Sequence, residues 1–256
     1  TAVHSLTPTM AALPEALAAD VRARGGEIRT ASPAEAVERS GAGWVVRTAR
    51  DARHADTLVL ATPPDTAGAL LRDAAPQVAA AIPDAPSSPV RLVVLVLDAP
   101  ALDAAPSGTG ALVAAGTRGV RAKALTHASA KWAHVREAAR AHGPHVHVVR
   151  LSYGRPGEPL PPDDATTVDL ALADASSILR TPLTRAHLRG SRTVTWQGAM
   201  RQPRPGHREA LRHLDTLLAG GSLELVGSWR DGTGLDAIVA ADRRRRSPIL
   251  TKGSRP

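Results

Sequence analysis

The scarcity of aromatic side chains is the strongest constraint on how this chain folds. Its 256 residues hold no Phe, one Tyr and four Trp, yet 43% of them are hydrophobic. A chain of that length and apolar content buries a substantial core, as one large domain or two small ones, and is not disordered by composition. The core has to be packed from Ala, Val and Leu. These side chains remove less apolar area from water per residue than rings do, so modest stability is expected.

Cysteine is absent, which excludes disulfides, thiolate metal sites and a cysteine nucleophile and suits a reducing, cytoplasmic setting. The longest apolar run, Leu92 to Leu97, is far too short to span a bilayer. Residues 1–9 show no charged segment followed by an apolar run, so no signal peptide is visible, and a start at Thr1 reads as the edge of something longer. The formal charge of +8 raises the question of an anionic partner. Arginine is scattered, however, and only Arg243 to Arg246 form a run, read here as a solvated tail. With so few aromatics for base stacking, nucleic-acid binding is not expected.

Met10 to Ala23 carries Leu13, Leu17 and Val21 at helical spacing, with Pro14 near its start and Gly25-Gly26 as its stop. Short strands are expected at Ile28 to Thr30 and Trp44 to Thr48, an apolar strand from Asp56 to Thr62 ended by Pro63, and a helix over Thr66 to Arg72. Residues 83–89, rich in Pro and Ser, mark a crossing between domains. Beyond it, Val90 to Leu97, Val120 to Thr126, His145 to Ser152 and Arg192 to Trp196 read as strands. A helix is expected at Thr167 to Leu179, capped by Thr166 or Thr167. His207 to Leu218 is amphipathic, Leu223 to Val226 is a strand, and Leu235 to Ala241 is a closing helix.

Between those last two elements lies a strand–turn–helix pattern with Gly232, Thr233 and Gly234 at the turn. Free main-chain N–H groups and the positive end of the helix dipole meet there, which suits an anionic or electron-rich ligand, and glycine lets a flat ring approach the backbone. Glycine turns of this kind are common, so the pattern alone is weak. His142, His145 and His147 lie close together, but their spacing matches no familiar metal site and a turn with a strand edge is expected. Asp163-Asp164 reads as a surface turn and helix cap. No hydrolase elbow, zinc-protease or phosphate-loop motif is present.

Taken in order, several blocks resemble the protoporphyrinogen oxidase family of the flavin-containing amine oxidase superfamily. Met10-Ala11-Ala12-Leu13-Pro14-Glu15-Ala16-Leu17 is similar to the family's Gly-Gly-Met-x-x-Leu-Pro-Glu-Ala-Leu segment. Leu58 to Pro63 resembles its strand ending in Ala-Thr-Pro, and Ser129-Ala130-Lys131-Trp132-Ala133-His134 its Ser-x-Lys-Trp-Pro-His stretch. Arg150 to Arg155 matches, as does Trp196 to Pro203 followed by Gly206-His207. The Gly232-Thr233-Gly234-Leu235 turn resembles the family's flavin-contact turn. Together these blocks cover nearly the whole chain.

The resemblance implies an α/β architecture: an incomplete Rossmann-like FAD-binding domain with an inserted α+β mixed-sheet substrate domain. Residues 9–82 and 203–243 would be pieces of the FAD domain, 83–202 the substrate domain and 244–256 a basic tail. It implies FAD as cofactor, a proto- or coproporphyrinogen as substrate, dioxygen as acceptor, and peripheral contact with a membrane. Gly232, Thr233, Gly234 and Leu235 would place amides at the flavin pyrimidine edge, Trp229 would sit beside them, and Ala34 would stand where the family has a Val whose backbone meets adenine. Lys131 and Trp132 would line the substrate, with no side-chain acid or base required. Pro8-Thr9 stands in place of the family's Gly-Gly, and the dinucleotide-binding Gly-x-Gly-x-x-Gly turn is nowhere in the chain. A chain without that anchor is expected neither to hold FAD tightly nor to turn over. A relative acting on an amine or a polyene, and a non-catalytic basic module, are the competing expectations.

Overall fold

The computed structural model describes residues 4–84, 86–162 and 165–246. Asp163-Asp164 and the part of the expected tail after residue 246 lie outside them. In chain order the elements are α1 (Ala12–Ala23), β1 (Ala36–Ser40), β2 (Gly43–Arg47), β3 (Ala52–Ala55), β4 (Leu58–Leu60), α2 (Pro64–Leu71) and α3 (Pro76–Ala81). These are followed by β5 (Ser87–Asp98), β6 (Gly110–Leu112), β7 (Ala124–His127), α4 (Ala128–Lys131), α5 (Ala133–Arg140), β8 (Val146–Tyr153) and α6 (Ala165–Leu179). The chain continues through β9 (Leu188–Arg201), α7 (His207–Leu218), β10 (Leu223–Leu225), α8 (Ser228–Asp231) and α9 (Leu235–Arg246). They fall into two compact units, residues 1–28 with 87–200, and residues 29–86 with 201–256. Grouping by contact thus places α1 with the first unit, whereas the sequence reading joined it to residues up to 82.

The first unit is built on a five-stranded sheet in the order β6-β7-β8-β5-β9. β5 and β8 pair antiparallel over Arg91↔Tyr153 to Asp98↔Val146, and β7 pairs antiparallel with β8. Alternation along these strands sends Val93, Leu95 and Leu97 of β5, and Val149, Leu151 and Tyr153 of β8, to one face, where they are fully buried against Ala171, Leu172, Ala175 and Leu179 of α6. Only one of those side chains is an aromatic ring. Asp174, buried on α6, accepts hydrogen bonds from the amides of Arg121 at 3.2 Å and Ala122 at 2.8 Å, fixing the loop that leads into β7.

In the second unit β1, β2 and β3 form an antiparallel meander, and β10 pairs parallel with β4 in the register Leu223↔Leu58 to Leu225↔Leu60. The core collects Leu58, Leu60, Ala67, Leu71, Leu214, Leu223 and Leu225 around Trp44, which is 1% exposed. The indole N–H of Trp44 reaches the Ser222 carbonyl at 3.0 Å and its hydroxyl at 2.9 Å, so this ring leaves no buried donor unpaired.

Several expectations need correction. Ile28 to Thr30 is irregular, because the strands that form there are β1, β2 and β3 with one another. The stretch from Val120 is a strand only over Ala124–His127, since the amides of Arg121 and Ala122 are committed to Asp174. α6 starts at Ala165, so Thr166 and Thr167 lie inside its first turn, and the Thr167 hydroxyl donates back to the Pro162 carbonyl instead of capping. α9 runs on to Arg246, so the arginine run read as a tail is the end of a helix.

Candidate functional site

The parallel pairing of β10 with β4 decides where the glycine turn lies. Because the two strands run side by side, their C-terminal ends emerge together, and the chain leaves β4 at Thr62 beside the start of α8. The Val226 amide donates to the Leu60 carbonyl at 3.0 Å, carrying the pairing one residue past β10. Trp229, 7% exposed, then donates its indole N–H to the Thr62 carbonyl at 3.2 Å. The ring is therefore a clamp between the two strand ends, packed in the core and turned away from solvent.

Around it the backbone is held in shapes only glycine accepts easily. Gly227, Gly232 and Gly234 have φ of 136°, 95° and 118°. The Gly227 amide donates to the Asp231 carboxylate at 3.0 Å, and the Gly232 amide to the Ser228 carbonyl at 3.1 Å, tightening the single turn of α8. His207 from α7 donates its Nε2–H to the Trp229 carbonyl at 3.0 Å. Arg230 donates to the Leu225 carbonyl at 2.5 Å and pairs with Asp215 of α7.

The next three residues are different. Thr233, Gly234 and Leu235 are exposed, and among the described residues their amides find no hydrogen-bond partner. α9 begins at Leu235, so these N–H groups are the orphan donors of a helix start, with the dipole adding positive potential. A side chain built at Gly234 would meet nothing within 4 Å, so the space over the turn is open. Close by, the Thr62 hydroxyl is buried without a partner. The arrangement offers main-chain donors to an electron-rich edge, with no carboxylate or imidazole needed for the contact.

Gly232, Thr233, Gly234, Leu235 and Trp229 are thus brought together at this turn. Ala34 is exposed in the irregular segment before β1, in the same unit. Lys131 and Trp132 belong to the other unit, where the Lys131 ammonium lies 5.1 Å from the Trp132 ring centroid and Trp132 stacks on His134. The role of Asp231 was not legible, because its bond to the Gly227 amide depends on the single helical turn between them. The histidine trio divides: His145 and His147 both bond Asp103, at 2.7 and 3.0 Å, while His142 does not join them. No group able to hold a metal ion occurs among the described residues.

Residues 9–108 match the family described as FAD dependent oxidoreductase. The fold is that of the flavin-dependent oxidoreductases. A protein from Exiguobacterium sp. 255-15, provisionally named a protoporphyrinogen oxidase, superposes with a TM-score of 0.78 at 22% identity, covering 97% of this chain and 52% of its own. UDP-galactopyranose mutase in its reduced form gives 0.67 at 11% identity, over 91% and 50% of the two chains. Cyclohexylamine oxidase from Brevibacterium oxydans IH-35A gives 0.60 at 15% identity, over 87% and 49%. The chain therefore spans about half the length of these three structures. A comparison with curated proteins yields no match.

Proposed function

We propose that this chain is the flavin-edge and substrate-side portion of an FAD-dependent oxidase that converts a porphyrinogen to the porphyrin with dioxygen as acceptor. The observation that carries the reading is the set of unpartnered, exposed amides at Thr233, Gly234 and Leu235, beside the end of β4. When bound, FAD supplies the hydride acceptor, and the chemistry belongs to it. The protein's part is to hold fixed donors where negative charge collects on reduction, which needs no rearrangement during the reaction. Gly232 and Gly234 admit a flat ring to within contact of the backbone, and the Trp229 clamp fixes the turn against β4. The blocks Ser129 to His134 and Arg150 to Arg155 support the porphyrinogen assignment through their resemblance to that family, and the likeness to the Exiguobacterium protein agrees with it.

The test joins this chain to a dinucleotide-binding half of the same fold and follows FAD by its visible absorbance and porphyrinogen by the fluorescence of the porphyrin formed. Thr233→Ala should leave both signals within twofold, since the contact is made by main chain. Gly234→Val places a branched side chain at a φ of 118° and over the ring site, so FAD affinity should fall at least tenfold. Equal loss for both substitutions, or oxidation of a monoamine in place of the porphyrinogen, would overturn the assignment.

A further inference from the structure

We propose that α1 is a docking element, held on two of its faces by a dinucleotide-binding half of the fold. Its sequence is that of a buried helix. Leu13, Leu17 and Val21, with Met10 just before the helix, fall on one stripe, and Ala12, Ala16, Ala19 and Ala23 on a second, roughly a third of a turn away. Its charged residues are Glu15, Asp20 and Arg22 alone. A helix apolar over so much of its surface ordinarily lies inside a fold. Here none of its residues is buried, and neither core draws on it. Among the described residues no hydrogen bond or ion pair ties α1 to another element, and Asp20 is paired at 2.9 Å with Arg24 at the helix's own end. Of the ten large hydrophobic side chains that the described residues expose, five lie on or beside α1, among them Met10 at 49%, Leu17 at 59% and Val21 at 41%. Apolar surface gathered in this way marks a place of contact.

An isolated helix of 12 residues is marginal in water, so α1 needs a partner. A second copy fits poorly. Two such helices, roughly 18 Å long and laid along one stripe, would bury on the order of a few hundred Å² per protomer, against roughly 800 Å² per partner in a stable interface, and the alanine stripe would stay bare. A membrane surface fits no better, because helices that lie there carry a polar face rich in Lys and Arg. α1 has one arginine against two acids. A folded partner that approaches from two sides satisfies both stripes, with the alanines admitting an element close to the helix backbone. The family match begins at residue 9 and so takes in α1. The three superposed structures share nearly all of this chain, yet about half of each has no counterpart in it. A body of that size can enclose a helix on two faces.

The identity of the partner rests on the proposed function, whereas the docking faces rest on α1 itself. The test compares the chain alone with the chain joined to a dinucleotide-binding half, by hydrogen exchange of the peptide over residues 10–23. Joining should slow these amides about a hundredfold. Leu17→Glu and Ala19→Leu, one on each stripe, should each remove about tenfold or more of that protection, while Arg22→Ala on the polar side should remove none. In the chain alone all three variants should leave exchange at β5 and β8 unchanged, since α1 is tied to nothing there, so misfolding cannot imitate the result. Protection of α1 in the chain alone would overturn the inference, with a dimer in sedimentation naming a second copy as the occupant, and so would protection gained on phosphatidylglycerol vesicles. An α1 left unprotected in the joined protein, or protected there and indifferent to both stripe variants, would overturn it too; if that protein still binds FAD and oxidises the porphyrinogen, the proposed function stands without it. If α1 is protected through both stripes while a monoamine is oxidised in place of the porphyrinogen, the docking element stands and the porphyrinogen reading falls.

Discussion

Acid should loosen the first unit through one side chain, His127. This residue ends β7 on the core face, is 1% exposed, and lies with its Nε2 3.1 Å from Nδ1 of His147. Asp103 can only accept, so it fixes the polarity of the row: His147 donates Nε2–H to Asp103 at 3.0 Å and accepts at Nδ1 from Nε2–H of His127. The remaining nitrogen of His127, Nδ1, is then a bare, buried acceptor. Burial, and secondarily the neighbouring His147, push His127 down from 6.5 to about 4. A cationic acid with a depressed folded pKa binds its proton more tightly when unfolded. The stability its neutral form confers is therefore complete above pH 6.5 and is lost as pH falls toward 4. At about 1.4 kcal/mol per unit, the full loss is about 3 kcal/mol, of which about 2 kcal/mol falls between pH 7.5 and 5. Asp103 is held below the usual carboxylate range by hydrogen bonds from His147 and then His145, and remains ionised over that interval. His127→Gln keeps a donor for His147 but cannot titrate. The assay is denaturant unfolding at pH 7.5 and 5, with hydrogen exchange of β7 and β8 peptides read in parallel. The unsubstituted chain should lose about 2 kcal/mol more than His127→Gln on acidification. Equal losses in the two proteins would refute the reasoning.

Asp174→Ala would leave the buried amide of Ala122 and the part-buried amide of Arg121 without their acceptor, and a drop of about 2–4 kcal/mol is expected, read by thermal unfolding. A loss under about 1 kcal/mol would show that water replaces the carboxylate. FAD added to the chain alone should bind no tighter than about millimolar in a flavin-fluorescence titration, because on the proposed reading the turn at Gly232 to Leu235 would meet only one edge of a ring and the chain contains no Gly-x-Gly-x-x-Gly turn to anchor the pyrophosphate. A purified sample that is yellow and oxidises a porphyrinogen would contradict this.

The sequence is most legible where one local pattern sufficed. α7 runs over His207–Leu218 as its apolar spacing indicates, and β8 differs by a residue at either end from the β-branched stretch that announced it. Illegibility begins where pairing is remote. Nothing near Ile28 reveals that Arg29 will bond Asp51 instead of entering a sheet, and β3 is four exposed residues whose strand character comes wholly from its pairing with β2. The site divides in the same way. The glycine turn was readable because a helix start creates orphan amides whatever surrounds it. Asp103 was not, because its partners His145 and His147 lie 42 and 44 residues further on.

The two units also differ in how far they cover themselves, and this has a measurable consequence. In the first, β5 and β8 pair over eight residues and one face is sealed by α6. In the second, β4 and β10 are three residues each and run parallel. Parallel pairs are ordinarily buried on both faces, since their bonds are slanted and slightly weaker and their side chains apolar throughout. Here one face is buried through Leu58, Leu60, Leu223 and Leu225, while Val59 on the other is 47% exposed. Leu235 and Val239 of α9, in the same unit, are likewise 53% and 46% exposed. Apolar area left in water contributes nothing to holding these strands. Their opening should therefore cost less than that of the five-stranded sheet, and amides of β4 and β10 should exchange on the order of a hundredfold faster than those of β5 and β8 at neutral pH. Joining a dinucleotide-binding half should slow exchange at β4 and β10 and leave β5 and β8 as they were. Equal protection of both sheets in the chain alone would mean that the second unit is already complete, and with it the case for a flavin site finished by further chain would fail.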